Sequence, residues 1–440
     1  MNHLRLVEGG PVEYDIFDRS RNSGASACGL EAVIPGTDLV LQQPDWKDLT
    51  LVCQVRDELA ALPGLVSAEE VTALRSLLAH VAGGRLQVIQ AGDCAEDPAE
   101  CTPGHVERKA TLLDILAGAM QLNSAKPVLR VGRIAGQFSK PRSQAFERLN
   151  GVNLPVYRGH MVNSPEPDPE LRKPDPKRLL AGYWAANAAM DAIRHRNALP
   201  QSIGGPPIWT SHEALLLDFE LPMLRRHPDG GLLLSSTHWP WIGERTRRRD
   251  SAHVSMLARV INPVACKIGP SVSVCQLLEL CERLDPDREP GRLTFISRMG
   301  AGFVTEKLPP LVAAARDNGY PVIWLCDPLH GNTVLSPNGH KFRLVTTAID
   351  EVERFKAAVA SEEGIMGGLH LEATPAKVTE CAFDESDLAE LTDNASVLCD
   401  PRLNLEQAVA VASAWHGTSA SRELRHIDTA CLEPTWTLSS

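Results

Sequence analysis

The chain has 440 residues, 43% hydrophobic and 22% charged, enough for one large globular unit or two ordinary domains. A formal net charge of -11 excludes nucleic acid and anionic membrane as main partners, since both need a dominant basic field, but it leaves small anionic ligands open wherever basic residues cluster. Eleven cysteines without a repeated framework, behind an N-terminus "MNHLRLVEGG" that lacks a signal-peptide core, lead to the expectation of a reducing cytoplasm, and no apolar stretch reaches bilayer-spanning length.

In chain order, residues up to about Asp38 show no period and are expected to be mobile. The segment "SAEEVTALRSLLAHVAGG" then places Ser67 and Glu70 as a capping box before an apolar run, with glycines as a stop. Residues 1–84 therefore read as an N-terminal extension that becomes helical. From Leu86 onward, β-rich runs bounded by Gly, Pro or Asp alternate with helical patterns, the signature of βα units. Eight such runs are Leu86 to Gln90, Val128 to Val131, Leu232 to Ser235, Val264 to Ile268, Leu293 to Ser297, Val322 to Cys326, Ile365 to Leu371 and Ser396 to Cys399. Helical patterns include "VERKATLLDILAGAM", "LLAGYWAANAAMDAIR", "AIDEVERFKAAVA" and "NLEQAVAVASAW"; in "SVSVCQLLELCERL" the apolar residues fall at i, i+3, i+4 and i+7. The predicted architecture is an α/β fold, a (β/α)8 TIM barrel over residues 85–420, with an N-terminal helical extension and a C-terminal tail at 421–440.

Working residues of such barrels sit at the C-terminal ends of the strands. Cys94 follows the first run, His330 the sixth, Glu372 the seventh and Asp400 the eighth, and those four runs are neighbours in a closed barrel. A thiolate, an imidazole and two carboxylates on one arc suit a divalent transition metal. The thiol set between acids in "GDCAE" thus reads as a metal ligand. The opposite arc is basic: Arg133, Lys140, Arg142 and Ser143 in "RIAGQFSKPRS", Glu244 and Arg245 in "WIGERTR", Lys267 in "CKIGP" and Arg298 in "SRMG". Guanidinium forks suit phosphate and carboxylate oxygens, so a ligand with several negative charges is implied. Each residue also has a plain reading: a lone Cys is by default a small buried hydrophobe, a lone His is structural, and Arg247 to Arg249 keep the default of a solvated helix face. Convergence of independent positions at the same end of successive strands favours the site.

The segments "QAGDCAE", "RVGRIAGQFSKPRS", "WTSHEALLLDFE", "WIGERTR", "DSAHV", "ISRMGAG", "CDPLHGNT", "GGLHLEAT" and "CDPRLN" together resemble class II 3-deoxy-D-arabino-heptulosonate 7-phosphate (DAHP) synthases, from about Gln42 to about Trp415. The resemblance implies a transferase that condenses phosphoenolpyruvate with erythrose 4-phosphate with the help of manganese, cobalt or a similar divalent ion. It assigns Cys94, His330, Glu372 and Asp400 to the metal, and Arg133, Trp241, Glu244, Arg245, Lys267 and Arg298 to phosphoenolpyruvate. Lys140, Arg142 and Ser143 fall to the aldose, whose phosphate Arg142 and Ser143 would hold. Lys267 and Glu244 are the expected catalytic groups, Lys267 moving a proton and Glu244 positioning a water. A homodimer or other homo-oligomer is expected. Where many family members read "YRGD" this chain reads "YRGH", with His160 in place of the acid.

Other readings stay open. The acceptor is either erythrose 4-phosphate or an amino or imino analogue; Lys267 is alternatively the centre of a metal-independent Schiff-base aldolase; and the barrel is alternatively a catalytically dead partner protein. The connection from Ser143 to Glu244 is shorter than in longer family members, where an inserted helical pair helps to form a site for aromatic amino acids. The expectation is an enzyme insensitive to them, of the kind that supplies phenazine or other antibiotic pathways.

Overall fold

Runs such as Val264–Ile268 and Leu293–Ser297 are buried at every position, as parallel strands covered on both faces must be. The computed structural model describes residues 38–149, 151–200, 205–335, 341–390 and 400–416. The strands in chain order are β1 Gln87–Gly92, β2 Val128–Arg133, β3 Phe146–Leu149, β4 Val152–Pro155, β5 Ile208–Glu213, β6 Leu224–Arg226 and β7 Leu232–Leu234. They continue as β8 Trp239–Ile242, β9 Val264–Ile268, β10 Leu293–Ser297, β11 Ile323–Cys326, β12 Val334–Leu335, β13 Lys341–Phe342 and β14 Ile365–Glu372. Eight of them close a barrel in the order β1-β14-β11-β10-β9-β8-β5-β2, all in parallel pairs. The other six form three antiparallel hairpins, β3–β4, β6–β7 and β12–β13.

The expected (β/α)8 barrel is present, but two of its strands differ from the predicted ones. Leu232–Leu234 is a strand of the β6–β7 hairpin and lies outside the barrel. The third and fourth barrel strands are "IWTSHE" and "WPWI", which hide from a β-pattern search for separate reasons. Polar side chains of β5 point into bonds made only by tertiary structure, with Thr210 reaching His238 and Ser211 reaching Gly132 O, and β8 carries Pro240, a residue that argues against a strand. Ser396 to Cys399 lie outside the described residues, as do 1–37 and 417–440 with the expected mobile N-terminus and the tail. The barrel closes without that predicted eighth run, because β14 pairs directly with β1.

Helices Pro103–Ser124, Lys177–Ala198, Val274–Leu284, Val304–Asp317 and Val345–Ser361 lie between consecutive barrel strands, and Leu405–Ser413 packs on Pro103–Ser124. The capping box of Ser67 and Glu70 opens the helix Ala68–Ala82. Leu74, Leu78 and Val81 of that helix join Val88, Val131, Trp239, Ala265, Ile296, Ile323 and Leu325 in one buried cluster. The helix therefore stops the end of the barrel opposite the strand C-termini. Gly291, at φ +85°, lets the chain entering β10 press on it; a Cβ there would lie 2.5 Å from Ala79 N. Leu78 is fully buried, whereas Leu122 is 80% exposed. Leu78→Ala should cost about 2–5 kcal/mol in urea unfolding, and Leu122→Ala less than about 0.5 kcal/mol; equal midpoints for the two variants would contradict the stopper.

Candidate functional site

The barrel register sets the first layer of the site. Gly92 at the end of β1 lies opposite Glu372 on one side and Arg133 on the other. Its φ is +149°, and a Cβ there would stand 2.8 Å from Arg133 O, so only glycine lets β1 and β2 meet this closely at the rim. Two residues further on, Cys94 Sγ is 3.7 Å from Asp400 Oδ2. Ligand atoms of Cys94, Glu372 and Asp400 all lie within 4.8 Å of one another. His330 Nε2 is 3.1 Å from Glu372 Oε1, so the four predicted metal-type residues form one connected group. Asp400 comes from the segment after β14, directly following residues that lie outside the described ones.

Neighbours prepare these donors. Asp327 Oδ2 accepts from His330 Nδ1 at 2.7 Å, which leaves Nε2 as the nitrogen turned to Glu372, the carboxylate–imidazole arrangement found behind metal-binding histidines. Burial would lower the His330 imidazole, but the Asp327 and Glu372 carboxylates outweigh it and raise it to about 9. Burial likewise opposes ionisation of Glu372 and Asp400. His330 and Arg343 nonetheless hold Glu372 well below the carboxylate range, and Lys140, Arg343 and Lys341 do the same for Asp400. One soft sulfur, one imidazole nitrogen and two ionised carboxylates fit a divalent transition ion.

The acids around Cys94 hold the loop that carries it. Asp93 is paired with Lys109 Nζ at 2.9 Å and Arg402 Nη1 at 2.8 Å. Glu96 accepts the N–H groups of Ala135, Gly136 and Gln137, which fixes the segment leading from Arg133 toward Lys140. Arg402 also binds Glu380. The flanks of Cys94 and of Asp400 are thereby tied through Asp93 and Arg402.

Facing these donors is a cavity of about 380 Å³ lined by Arg133, Lys140, Arg142, Ser143, Trp241, Arg245 and Lys267 together with Cys94, His330, Glu372 and Asp400. Trp241 forms its apolar wall, with the Arg133 guanidinium 5.2 Å and Lys267 Nζ 5.8 Å from the ring centroid. Arg133 donates to His370 Nε2 at 3.0 Å and Glu372 Oε1 at 3.2 Å. Because arginine only donates, His370 carries its proton on Nδ1, which faces Gln90 Oε1 at 2.6 Å. Lys267 Nζ pairs with Asp327 Oδ2 at 3.1 Å, and Arg245 Nη2 donates to Ser143 Oγ at 2.8 Å.

Two predicted residues do not reach the wall. Glu244 Oε1 accepts from Arg247 Nη2 at 2.8 Å and Nε at 3.0 Å, so its carboxylate is turned away. Arg247 is thus part-buried in an ion pair and not on a solvated helix face, and residues 244–250 form turns instead of a helix. Arg298 stands behind His330, its Nη2 3.4 Å from His330 O. His160 is also away from the cavity, edge-on to Tyr157 and 4.0 Å from Asp97. In turn, the cavity includes residues the sequence reading passed over. Glu213 ends β5 with Oε1 unpartnered, and burial raises its carboxyl despite Lys267, Arg245 and Arg133. Lys341 of the β12–β13 hairpin pairs with Asp400 Oδ1 at 2.9 Å. The strand-end rule would have found Glu213 had β5 been recognised.

The model of the class-II DAHP synthetase family matches residues 37–199 and 196–415. The chain is 52% identical over 376 residues, covering 85% of it and 94% of the relative, to a probable phospho-2-dehydro-3-deoxyheptonate aldolase of Pseudomonas fluorescens. It is 38% identical over 419 residues, 84% of this chain and 93% of the relative, to a phospho-2-dehydro-3-deoxyheptonate aldolase of Streptomyces coelicolor. Family motifs, barrel and whole-length relatives agree, and the chain belongs to the class-II DAHP synthetase family.

Proposed function

We propose that this chain condenses phosphoenolpyruvate with erythrose 4-phosphate to give DAHP and inorganic phosphate, as a metal-dependent transferase of the shikimate route. The supporting observation is the single cavity in which a thiol, an imidazole and two carboxylates face a basic wall. A manganese or cobalt ion held by Cys94, His330, Glu372 and Asp400 would supply Lewis acidity toward the aldehyde oxygen. Arg133, Arg245 and Lys267 bind the phosphate and carboxylate of phosphoenolpyruvate, with its enol plane against Trp241. Lys140, Arg142 and Ser143 take the phosphate of the aldose and so aim its aldehyde carbon at C3. The new C–C bond forms there while the aldehyde oxygen gains a proton. Positive charge developing at C2 is met by water, which gives up a proton as its oxygen bonds; the bond from C2 to the phosphate oxygen then breaks as the new C2 hydroxyl passes its proton to the departing phosphate, leaving the ketone of DAHP and inorganic phosphate.

Glu244 is the expected group for positioning that water; Glu213, which lines the cavity where Glu244 does not, is a second candidate for the task, and Lys267 is suited to moving the proton. A Schiff base at Lys267 would leave the clustered Cys94, Glu372 and Asp400 without a role, and an inert barrel would leave the whole set without one. An aminated acceptor differs from erythrose 4-phosphate away from the phosphate trio, so direct assay decides between them. The short Ser143–Glu244 connection supports an enzyme that aromatic amino acids do not inhibit and that feeds a specialised pathway. A cytoplasmic homodimer or other homo-oligomer belongs to the same reading; among the described residues no helix is long and apolar enough to cross a membrane.

Loss of enol absorbance on mixing manganese-loaded protein with phosphoenolpyruvate and erythrose 4-phosphate is the first expected result; reaction only with an amino analogue would replace the acceptor. Cys94→Ser should retain the fold and weaken manganese binding by at least about 100-fold, the upper range for changes one shell further out, with turnover falling in step. Unchanged affinity by calorimetry would remove Cys94 from the site. Tryptophan, phenylalanine and tyrosine, singly and in pairs, should leave the rate unchanged, whereas micromolar inhibition would require an effector site and a coupling free energy.

A further inference from the structure

Glu351 lies on the inner face of the helix Val345–Ser361, where the other buried residues are Val345, Ala348, Val352, Phe355, Ala358 and Val359. A carboxyl among them is fully buried, which is costly unless its oxygens are used. Both are. Glu351 accepts the Gly300 N–H on Oε1 at 2.8 Å and Asn332 Nδ2 on Oε2 at 2.5 Å. Asn332 in turn accepts the Ala301 N–H at 3.0 Å and donates to Pro328 O at 2.8 Å.

Gly300 and Ala301 belong to the loop after β10, which carries Arg298; Pro328 and Asn332 belong to the loop after β11, which carries His330. These loops touch backbone to backbone, since a Cβ on Gly331 would lie 2.4 Å from Gly300 N, and Arg298 reaches His330 O across the seam. Burial, foremost, pushes the Glu351 carboxyl up to about 8, and the geometry aims both of its oxygens at donors. Neither oxygen touches the cavity, and the pair of loops has no other side chain from the surrounding helices bonded to both among the contacts described.

We propose that Glu351 is a positioning residue that clamps the Arg298 and His330 loops into one unit, and thereby sets metal affinity through His330 and phosphoenolpyruvate binding through Lys267, whose partner Asp327 also holds His330. The proposal rests on the DAHP synthase reading for its substrate, while its metal arm does not need it. In Glu351→Gln the amide oxygen can still accept from Gly300, but its NH2 then meets the NH2 of Asn332. Turning Asn332 over would break its bond to Ala301, so one link is lost either way. Asn332→Ala removes the same link from the other side.

The test titrates Mn2+ into the metal-stripped full chain by calorimetry, for wild type, Glu351→Gln and Asn332→Ala, and then measures KM for each substrate. Outer-shell changes typically cost 10–100-fold in metal affinity, so manganese Kd should rise about tenfold or more in both variants. With manganese saturating for each variant, KM for phosphoenolpyruvate should still rise, through the Asp327–Lys267 pair, while KM for the aldose phosphate, whose phosphate falls to Lys140, Arg142 and Ser143, stays within about twofold. A residue that only stabilises the fold would lower the melting temperature and leave the Kd of the folded protein unchanged. That outcome in either folded variant overturns the proposal, as does failure of both variants to fold. A raised Kd with no DAHP formed by wild type would retain the clamp and sink the catalytic reading instead.

Discussion

Buried carboxylates without bulk water are the constraint from which the rim is built. Asp93, Glu96, Asp327 and Glu372 are all nearly or fully inaccessible, and each would be prohibitive to ionise alone. Each is met by a different counterpart: ammonium and guanidinium for Asp93, a row of backbone N–H groups for Glu96, Lys267 and His330 for Asp327, and Arg133 with Arg343 for Glu372. Satisfying them places Cys94, His330, Arg133 and Lys267 within one cavity. The same ion pairs that make the acids tolerable thus orient the groups suited to bind metal and substrate.

This economy explains which features were legible in the chain. Barrel strands such as β9 and β10 are apolar throughout and bounded by turn residues, so they read directly, and the Ser67–Glu70 box announced its helix through purely local chemistry. β5 and β8 were hidden because Thr210, Ser211 and Pro240 look wrong for a strand until the neighbours that satisfy or tolerate them are present. The total of eight strands came out right through compensating differences, since the Leu232 run is a hairpin arm and the Ser396 run lies outside the described residues. Val304–Asp317 carries Pro309 and Pro310 within a helix, a pairing that local propensity argues against.

The site was legible where a residue's position at a strand end decides its direction, as for Cys94, Arg133, Lys267 and Glu372. It was less legible where a side chain can choose between partners. Glu244 follows β8 as expected, yet it bonds Arg247 three residues on, a local contact that spacing alone does not favour over the cavity. Glu213 and Glu351 carry no motif of their own; their importance comes from an unpartnered oxygen in one case and from two loops meeting in the other.

The helix Ala68–Ala82 has a consequence for how such a chain could have been assembled. Its leucines supply core to strands spread around the whole barrel, from Val88 to Leu325, and Gly291 is shaped to its backbone. A lineage that exchanged the leading segment for an unrelated module would lose part of the barrel's own interior. The boundary for recombination therefore falls neither at the first strand nor at Ser67, since Val40, Trp46, Val52, Val55 and Leu59 are buried in the barrel's main core as well, and the segment from Val40 through this helix is inherited with the barrel even though it precedes it in the chain.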